Sequence, residues 1–227
     1  MDKNLEALSI VKTLTNAGFI AYYAGGWVRD FLLNHPSDDI DIATNASPEI
    51  IQSLFPRTVP IGLAFGIVLV VMNKHQYEVA TFRQDFDYVD GRRPSKIEFC
   101  SAAEDAKRRD FTINGMFYDP LEEKLIDYVE GQQDLKNKII RAIGDPHQRI
   151  KEDRLRMIRA IRLSCRFDFA IESATKQAIL FHANEIFPAV AIERITQELS
   201  KGLKAKNLFC MLIDLHQFNI LSVIFPP

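Results

Sequence analysis

Asp39-Ile40-Asp41-Ile42 alternates acid and isoleucine residue by residue, a period of two that belongs to a β-strand. On that strand both isoleucines enter a core while both carboxylates leave the same face. Two carboxylates so placed form a hard oxygen site of the kind that suits Mg²⁺, whose shell substrate phosphates then complete. Upstream, the apolar run Ile20 to Ala24 ends in Gly25-Gly26, where the backbone can turn sharply and a bulky group can approach the main chain. Phosphate oxygens are the natural guest, facing exposed backbone N–H groups, Arg29 and the start of a helix read from Val28 to Leu33. Taken singly, Gly-Gly is an ordinary turn and Asp-x-Asp a solvated strand edge. In this order they point to an enzyme that handles nucleotides. A third carboxylate joins them: Gln76 to Arg83 alternates as a strand and puts Glu78 on a face otherwise held by Ala80 and Phe82. Its bland reading is an edge charge that deters strand pairing.

The 227 residues, 47% of them hydrophobic, suffice for one good core and a smaller second one. No run of 18 apolar residues and no signal-type N-terminus is present, so the expectation is a soluble, cytoplasmic chain with no membrane partner. Cys100, Cys165 and Cys210 are isolated and odd in number, which predicts buried thiols rather than a disulfide frame. The formal net charge is only −2, but it is unevenly spread. From Arg141 to Arg166 there are eight Lys and Arg against three acids, a local basic strip of the kind that meets nucleic acid. The alternative is a solvated helix face. Arginine in preference to lysine favours a grip on phosphates or planar groups.

The periodicities predict a small α+β head with a mostly antiparallel sheet over residues 1–145 and an all-α neck over 146–227. Strands are expected at Ala21–Ala24, Asp39–Ala43, Ile67–Met72, Tyr77–Phe82, Lys96–Phe99 and Leu125–Tyr128. Asp145-Pro146 breaks the pattern, and helices follow over Glu152–Phe167, Ser173–Ala183, Ile192–Leu203 and Asn207–Ile220. At the start of the first of these, Glu152 and Asp153 lie four and three residues before Arg156, which puts both acids within its reach.

Six blocks then resemble, in order, the class II tRNA nucleotidyltransferases, the family of CCA-adding enzymes and bacterial poly(A) polymerases within the DNA polymerase β-like superfamily. They are Gly25-Gly26-Trp27-Val28-Arg29-Asp30, Asp39-Ile40-Asp41-Ile42-Ala43-Thr44, Glu78-Val79-Ala80-Thr81-Phe82-Arg83, Asp90-Gly91-Arg92-Arg93-Pro94, Arg108-Arg109-Asp110-Phe111-Thr112-Ile113-Asn114, and Glu152 through Arg162. The resemblance implies template-independent addition of C and A from CTP and ATP to the 3′ end of tRNA. Asp39, Asp41 and Glu78 would be catalytic, with two Mg²⁺ ions on Asp39 and Asp41. Gly25, Gly26, Arg29 and Arg109 would grip phosphates, and Asp110 and Asn114 would frame the ribose. Asp153 and Arg156 would read the base with Glu152 orienting the arginine, and Arg159 and Arg162 would assist nucleotide or primer. Asp85 to Pro94 would be a mobile loop over the nucleotide.

Gly62 to Val68 resembles the CCA-adding type more than the poly(A) type, which carries a basic Gly-Arg-Arg-Phe segment. A poly(A) polymerase, an A-adding specialist and a non-catalytic RNA-binding module are the alternatives. Gly115 and Arg154 stand where the family usually has Ala and Pro. Family members also continue well beyond the length of this chain, so the body and tail that grip tRNA are expected to be absent.

Overall fold

Ala7, Ile10, Val11 and Leu14 recur at helical spacing and are fully buried on α1 (Lys3–Asn16), whose first turn is capped by the Asp2 carboxylate accepting from the Asn4 N–H. The computed structural model describes residues 2–35, 37, 39–88, 94–205 and 207–225. The chain divides into two units: Met1–Asp85 with Lys96–Arg109 and Asn114–Gly131, and Phe86–Ser95 with Asp110–Ile113 and Gln132–Pro227.

In the first unit α1 leads into β1 (Ala21–Ala24), α2 (Gly26–Leu32), β2 (Asp41–Thr44), α3 (Pro48–Leu54), β3 (Thr58–Gly62), β4 (Ile67–Met72) and β5 (His75–Thr81). The strands β6 (Arg83–Tyr88) and β7 (Pro94–Phe99) pair with each other as a separate two-stranded sheet. After them come α4 (Ala102–Lys107), β8 (Phe117–Asp119) and β9 (Lys124–Ile126). Seven strands join in the order β3-β4-β5-β2-β1-β8-β9. Every neighbouring pair is antiparallel except β2 with β5, which run parallel with Ile42 opposite Val79. Ile40, Ile42, Tyr77, Val79 and Thr81 are buried on one face, as the period of two demands. Glu6 pins α1 to this sheet: its buried carboxylate accepts from Asn73 Nδ2 (2.6 Å) and the Tyr77 hydroxyl (2.9 Å) and pairs with His75 (2.8 Å). Those hydrogen bonds, Asn73's first, hold its pKa down at about 2.

The second unit continues through α5 (Gly131–Asn137), β10 (Ile139–Ile140), α6 (Pro146–Glu152), α7 (Leu155–Phe167), β11 (Ala170–Ile171), α8 (Ser173–His182), α9 (Ile192–Lys204), α10 (Leu208–Gln217) and α11 (Leu221–Ile224). Met157, Ile158, Ala160 and Ile161 bury one face of α7, which packs against α9 and α10. The α+β class with a mostly antiparallel sheet, followed by helices, is as expected. The two-residue parallel pair β10–β11 is a small β addition to the helical part.

Three local expectations change. The helix expected from Glu152 begins only at Leu155, as α7, because Asp153 adopts an extended backbone (φ −150°, ψ 103°), and Glu152 instead ends a separate helix, α6, that was not expected. Asp85 to Tyr88 is strand rather than loop, and residues 89–93 of the expected mobile loop lie outside the described residues. Cys165 on α7 and Cys210 on α10 form a disulfide across a Cα separation of 5.9 Å, while Cys100 is a free thiol. The pairing comes from helix packing between residues 45 apart, which no local spacing displays. Among the described residues no helix is long and apolar enough to cross a membrane.

Candidate active site

β2 is central in the first sheet, with β1 on one side and β5 on the other, so Asp41 lies beside Ala24 of β1 and its carboxylate reaches towards Glu78 of β5. Burial pushes the Asp41 carboxyl up to about 7, and the negative charges of Glu78 and Asp39 add to that rise. Arg109 pulls it part of the way back. Glu78 is raised for the same reasons, burial first and then Asp39. The three carboxylates that the sequence singled out therefore lie close enough to repel one another.

Gly25 closes the other side. It takes φ +67° and ψ −135° at the head of α2, a conformation that side chains other than glycine's strongly disfavour. A Cβ there would sit 3.5 Å from Asp41 Oδ2 and 3.6 Å from Arg109 Nη1. A bare stretch of backbone, a carboxylate and a guanidinium thus converge on one spot. Arg109 is aimed by the buried Asp105, whose Oδ2 accepts from Nε (3.1 Å) and Nη2 (2.9 Å), and it lies over the Phe117 ring at 4.6 Å. Burial alone would raise Asp105, but Arg109 and Arg108 outweigh it and hold the carboxyl below the usual range. Asp105 escaped the sequence reading, although its offsets of three and four residues from Arg108 and Arg109 are visible there.

Arg29 is differently placed from the phosphate grip expected of it. It is buried; Nε and Nη2 donate to Asp30 Oδ1 (2.9 and 2.7 Å), and Nη1 donates to Asn114 Oδ1 (2.5 Å). Three of its donor atoms are thus spent on framing Asp30 and Asn114. Gly26 lies against the same side chain, its missing Cβ 3.3 Å from Arg29 Nη2.

The donor set suits a divalent cation. The carboxylate oxygens of Asp39, Asp41 and Glu78 do not all lie within 4.8 Å of one another, so the set is open. Openness suits Mg²⁺, which is held by one or two carboxylates and leaves room for phosphate oxygens. Burial lifts Asp41 and the neighbouring carboxylates add to it, and a cation would offset both. The residues fit the ion.

In the second unit, Asp110 pairs with Arg159 (2.9 Å), and Arg159 Nε is buried with no hydrogen-bond partner among the described residues. Glu152 meets Arg156 at 2.7 Å and Arg149 at 2.7 Å. Asp153 does not pair with Arg156, contrary to the helical spacing argument, because the break at Asp153 turns its side chain to Arg194 instead. Arg162 is bound to Glu198 at 2.5 Å. Arg141 pairs with Asp134 and Arg154 with Glu185, so six of the eight cations in the basic strip already face carboxylates. The strip is mainly a set of ion pairs rather than an open cationic face. Arg194 was missed because its partner is 41 residues away.

Two protein families match successive parts of the chain. The family described as the poly A polymerase head domain matches residues 21–141, and that described as the probable RNA and SrmB-binding site of polymerase A matches residues 168–227. The CCA-adding enzyme of Enterococcus faecalis is 48% identical over 204 residues, covering 89% of this chain and 50% of that protein. That of Staphylococcus aureus (strain Newman) is 43% identical over 225 residues, covering 96% and 56%. Among solved structures, the Bacillus stearothermophilus CCA-adding enzyme in complex with CTP superimposes with a TM-score of 0.87 at 37% identity, covering 97% of this chain and 53% of that one. The Thermotoga maritima CCA-adding enzyme complexed with tRNA gives 0.77 at 29% identity, covering 98% and 52%. The chain spans about half the length of the curated relatives it matches.

Proposed function

The chain belongs to the family of poly A polymerase head domains and CCA-adding enzymes, and on that premise we propose that it transfers nucleotidyl groups from CTP and ATP to the 3′ end of tRNA. The 3′-hydroxyl of the RNA attacks the α-phosphorus, its proton leaves, and the bond to pyrophosphate breaks. Asp39 and Asp41, with Glu78 beside them, are the residues that would hold Mg²⁺. When bound, the metal supplies positive charge that lowers the hydroxyl's pKa and neutralises the triphosphate. Arg109, fixed by Asp105, presents its guanidinium beside Asp41 for phosphate oxygens, and Gly25 leaves the main chain bare for their approach. In the second unit Asp153 and Arg156 read the base. A carboxylate accepts from the exocyclic amine of C or A, and a guanidinium donates to a ring nitrogen or carbonyl, whereas U and G offer the wrong group at the amine position. Asp110 and Asn114 are assigned to the ribose, and Arg159 and Arg162 to nucleotide or primer. The head over 1–145 would carry the chemistry and the neck over 146–227 the base choice. A tRNA substrate sets the reading in the cytoplasm.

The observation that carries this reading is the convergence of Asp41, Glu78, Asp39 and Arg109 beside Gly25. The test is extension of tRNA lacking its 3′ end with labelled CTP and ATP supplied separately and together. The wild-type chain incorporates both, and Asp39→Ala abolishes incorporation while leaving the melting curve cooperative. Extension by Asp39→Ala at the wild-type rate would remove the metal-site assignment, and none by the wild type would remove the activity.

A further inference from the structure

α7 and α10 pack against each other in the second unit, and Cys165 of α7 meets Cys210 of α10. Asp214 follows Cys210 by four residues on α10, which puts sulfur and carboxylate on one helix face, one turn apart. Among the described residues, Cys165 Sγ, Cys210 Sγ and an Asp214 carboxylate oxygen all lie within 4.8 Å of one another, and Cys165 Sγ is 3.3 Å from Asp214 Oδ2. Zn–S bonds of about 2.3 Å and a Zn–O bond of about 2.1 Å set tetrahedral ligand atoms roughly 3.6–3.8 Å apart, within that limit. Cys210 is exposed and the other two are half-buried, so an ion has a way in from solvent. Lys176 of α8 is near enough for its charge to act on Asp214, and it offsets part of the negative charge that two thiolates and a carboxylate would gather.

We infer that Cys165, Cys210 and Asp214 form a zinc site when the two cysteines are reduced. The disulfide is the metal-free, oxidised form of the same pair. A dithiol reductant opens it: the Cys165–Cys210 bond breaks, the two cysteine sulfurs take two electrons and two protons, and the reductant closes into its own disulfide. Zn²⁺ then displaces the two thiol protons, and water completes the four-coordinate shell. Two thiolates with one carboxylate select Zn²⁺ over Mg²⁺, because soft sulfur ligands disfavour the hard ion that suits the Asp39, Asp41 and Glu78 set. The chain would thus take two kinds of divalent cation, sorted by ligand chemistry. Bound there, Zn²⁺ fastens α10 to α7 in place of the covalent link. The zinc site draws on none of the residues assigned to nucleotidyl transfer.

The experiment uses the 227-residue chain carrying Cys100→Ser, which removes the free thiol outside the site. This protein is reduced with a dithiol, freed of reductant in an inert atmosphere and titrated with Co²⁺, whose thiolate charge-transfer absorption reports sulfur ligands alone. Zn²⁺ affinity is then read by competition with a chromophoric chelator. About one equivalent of Co²⁺ is expected to develop the band, and Zn²⁺ to abolish it with a Kd of about 1 µM or tighter. In that background Cys165→Ser and Cys210→Ser are each expected to weaken Zn²⁺ at least about 100-fold, and Asp214→Asn at least about 10-fold with the band retained. The chain reoxidised to the disulfide is expected to show no band. At about 100 times Kd, Zn²⁺ should raise the melting temperature of the reduced protein by about 5 °C or more and leave the Cys165→Ser/Cys210→Ser double variant almost unmoved. Absence of the band in the reduced protein, or undiminished zinc affinity in either serine variant, would overturn the site. Undiminished affinity in Asp214→Asn would overturn the three-ligand set. Should a serine variant fail to fold, the band itself and the isosteric Asp214→Asn decide.

Discussion

Asp41 stores an electrostatic conflict that should be measurable without any substrate. Its carboxyl titrates at about 7 in the fold, against the usual 3.8. Between those values the folded state binds a proton that the unfolded chain has already released. Asp41's contribution to the stability of the metal-free protein is therefore full below the usual 3.8 and is lost as pH rises through about 7. Asp41→Asn removes the conflict. At pH 8 in the presence of a chelator we expect it to melt above wild type by at least about 2–4 °C, the shift of roughly 1 kcal/mol in a chain of this size. Mg²⁺ should raise the wild-type melting temperature and leave that of Asp41→Asn almost unmoved. Equal melting of the two proteins at pH 8 would mean that Asp41 carries no such strain.

At the level of elements, α7 shows how a helix can look basic and yet turn most of its arginines towards carboxylates. Arg162 on α7 and Glu198 on α9 face each other at 2.5 Å with 12% and 5% of their side chains exposed, and Lys201 adds a second contact to Glu198 at 3.0 Å. Removing the acid strands a buried guanidinium. Glu198→Ala is expected to destabilise the protein by about 3 kcal/mol in urea denaturation, far beyond the effect of a surface pair. A change below about 0.5 kcal/mol would identify the pair as solvated. The same elements show what sequence can and cannot display. Asp39, Asp41 and Glu78 were legible because the period of a strand is local, and four residues suffice to assign a face. β3 was not, since Pro60 and Gly62 disguise a strand that sits at the sheet edge, the place where a missing N–H is tolerated. The break at Asp153 was hidden because apolar residues continue at helical spacing on its C-terminal side and no Gly or Pro marks it. Arg194 and the Cys165–Cys210 pair depend on residues 41 and 45 positions apart. Arg29 was assigned a ligand because nothing in its neighbourhood announces that Asp30 and Asn114 already hold it.

Over the whole molecule the chain passes repeatedly between its two units, and residues Asp110–Ile113 belong to the second although they precede a long segment of the first. Those four residues are tied there by the Thr112 N–H donating to the Arg141 carbonyl (3.0 Å), the Ile143 N–H donating to the Asp110 carbonyl (3.2 Å), and the Thr112 hydroxyl donating to Asp134 (2.7 Å). Phe111 and Ile113 are buried as well. A fragment spanning 132–227 should therefore melt more than about 10 °C below one spanning 110–227, as losing two buried apolar side chains implies. Identical circular-dichroism melts would show that the short segment contributes nothing to the second unit. The interruption at Asp153 has a consequence of another kind. The side chain freed there is clamped from α9 by Arg194, 41 residues onward, so the elbow between α6 and α7 is kept by a distant brace rather than by a glycine or proline hinge.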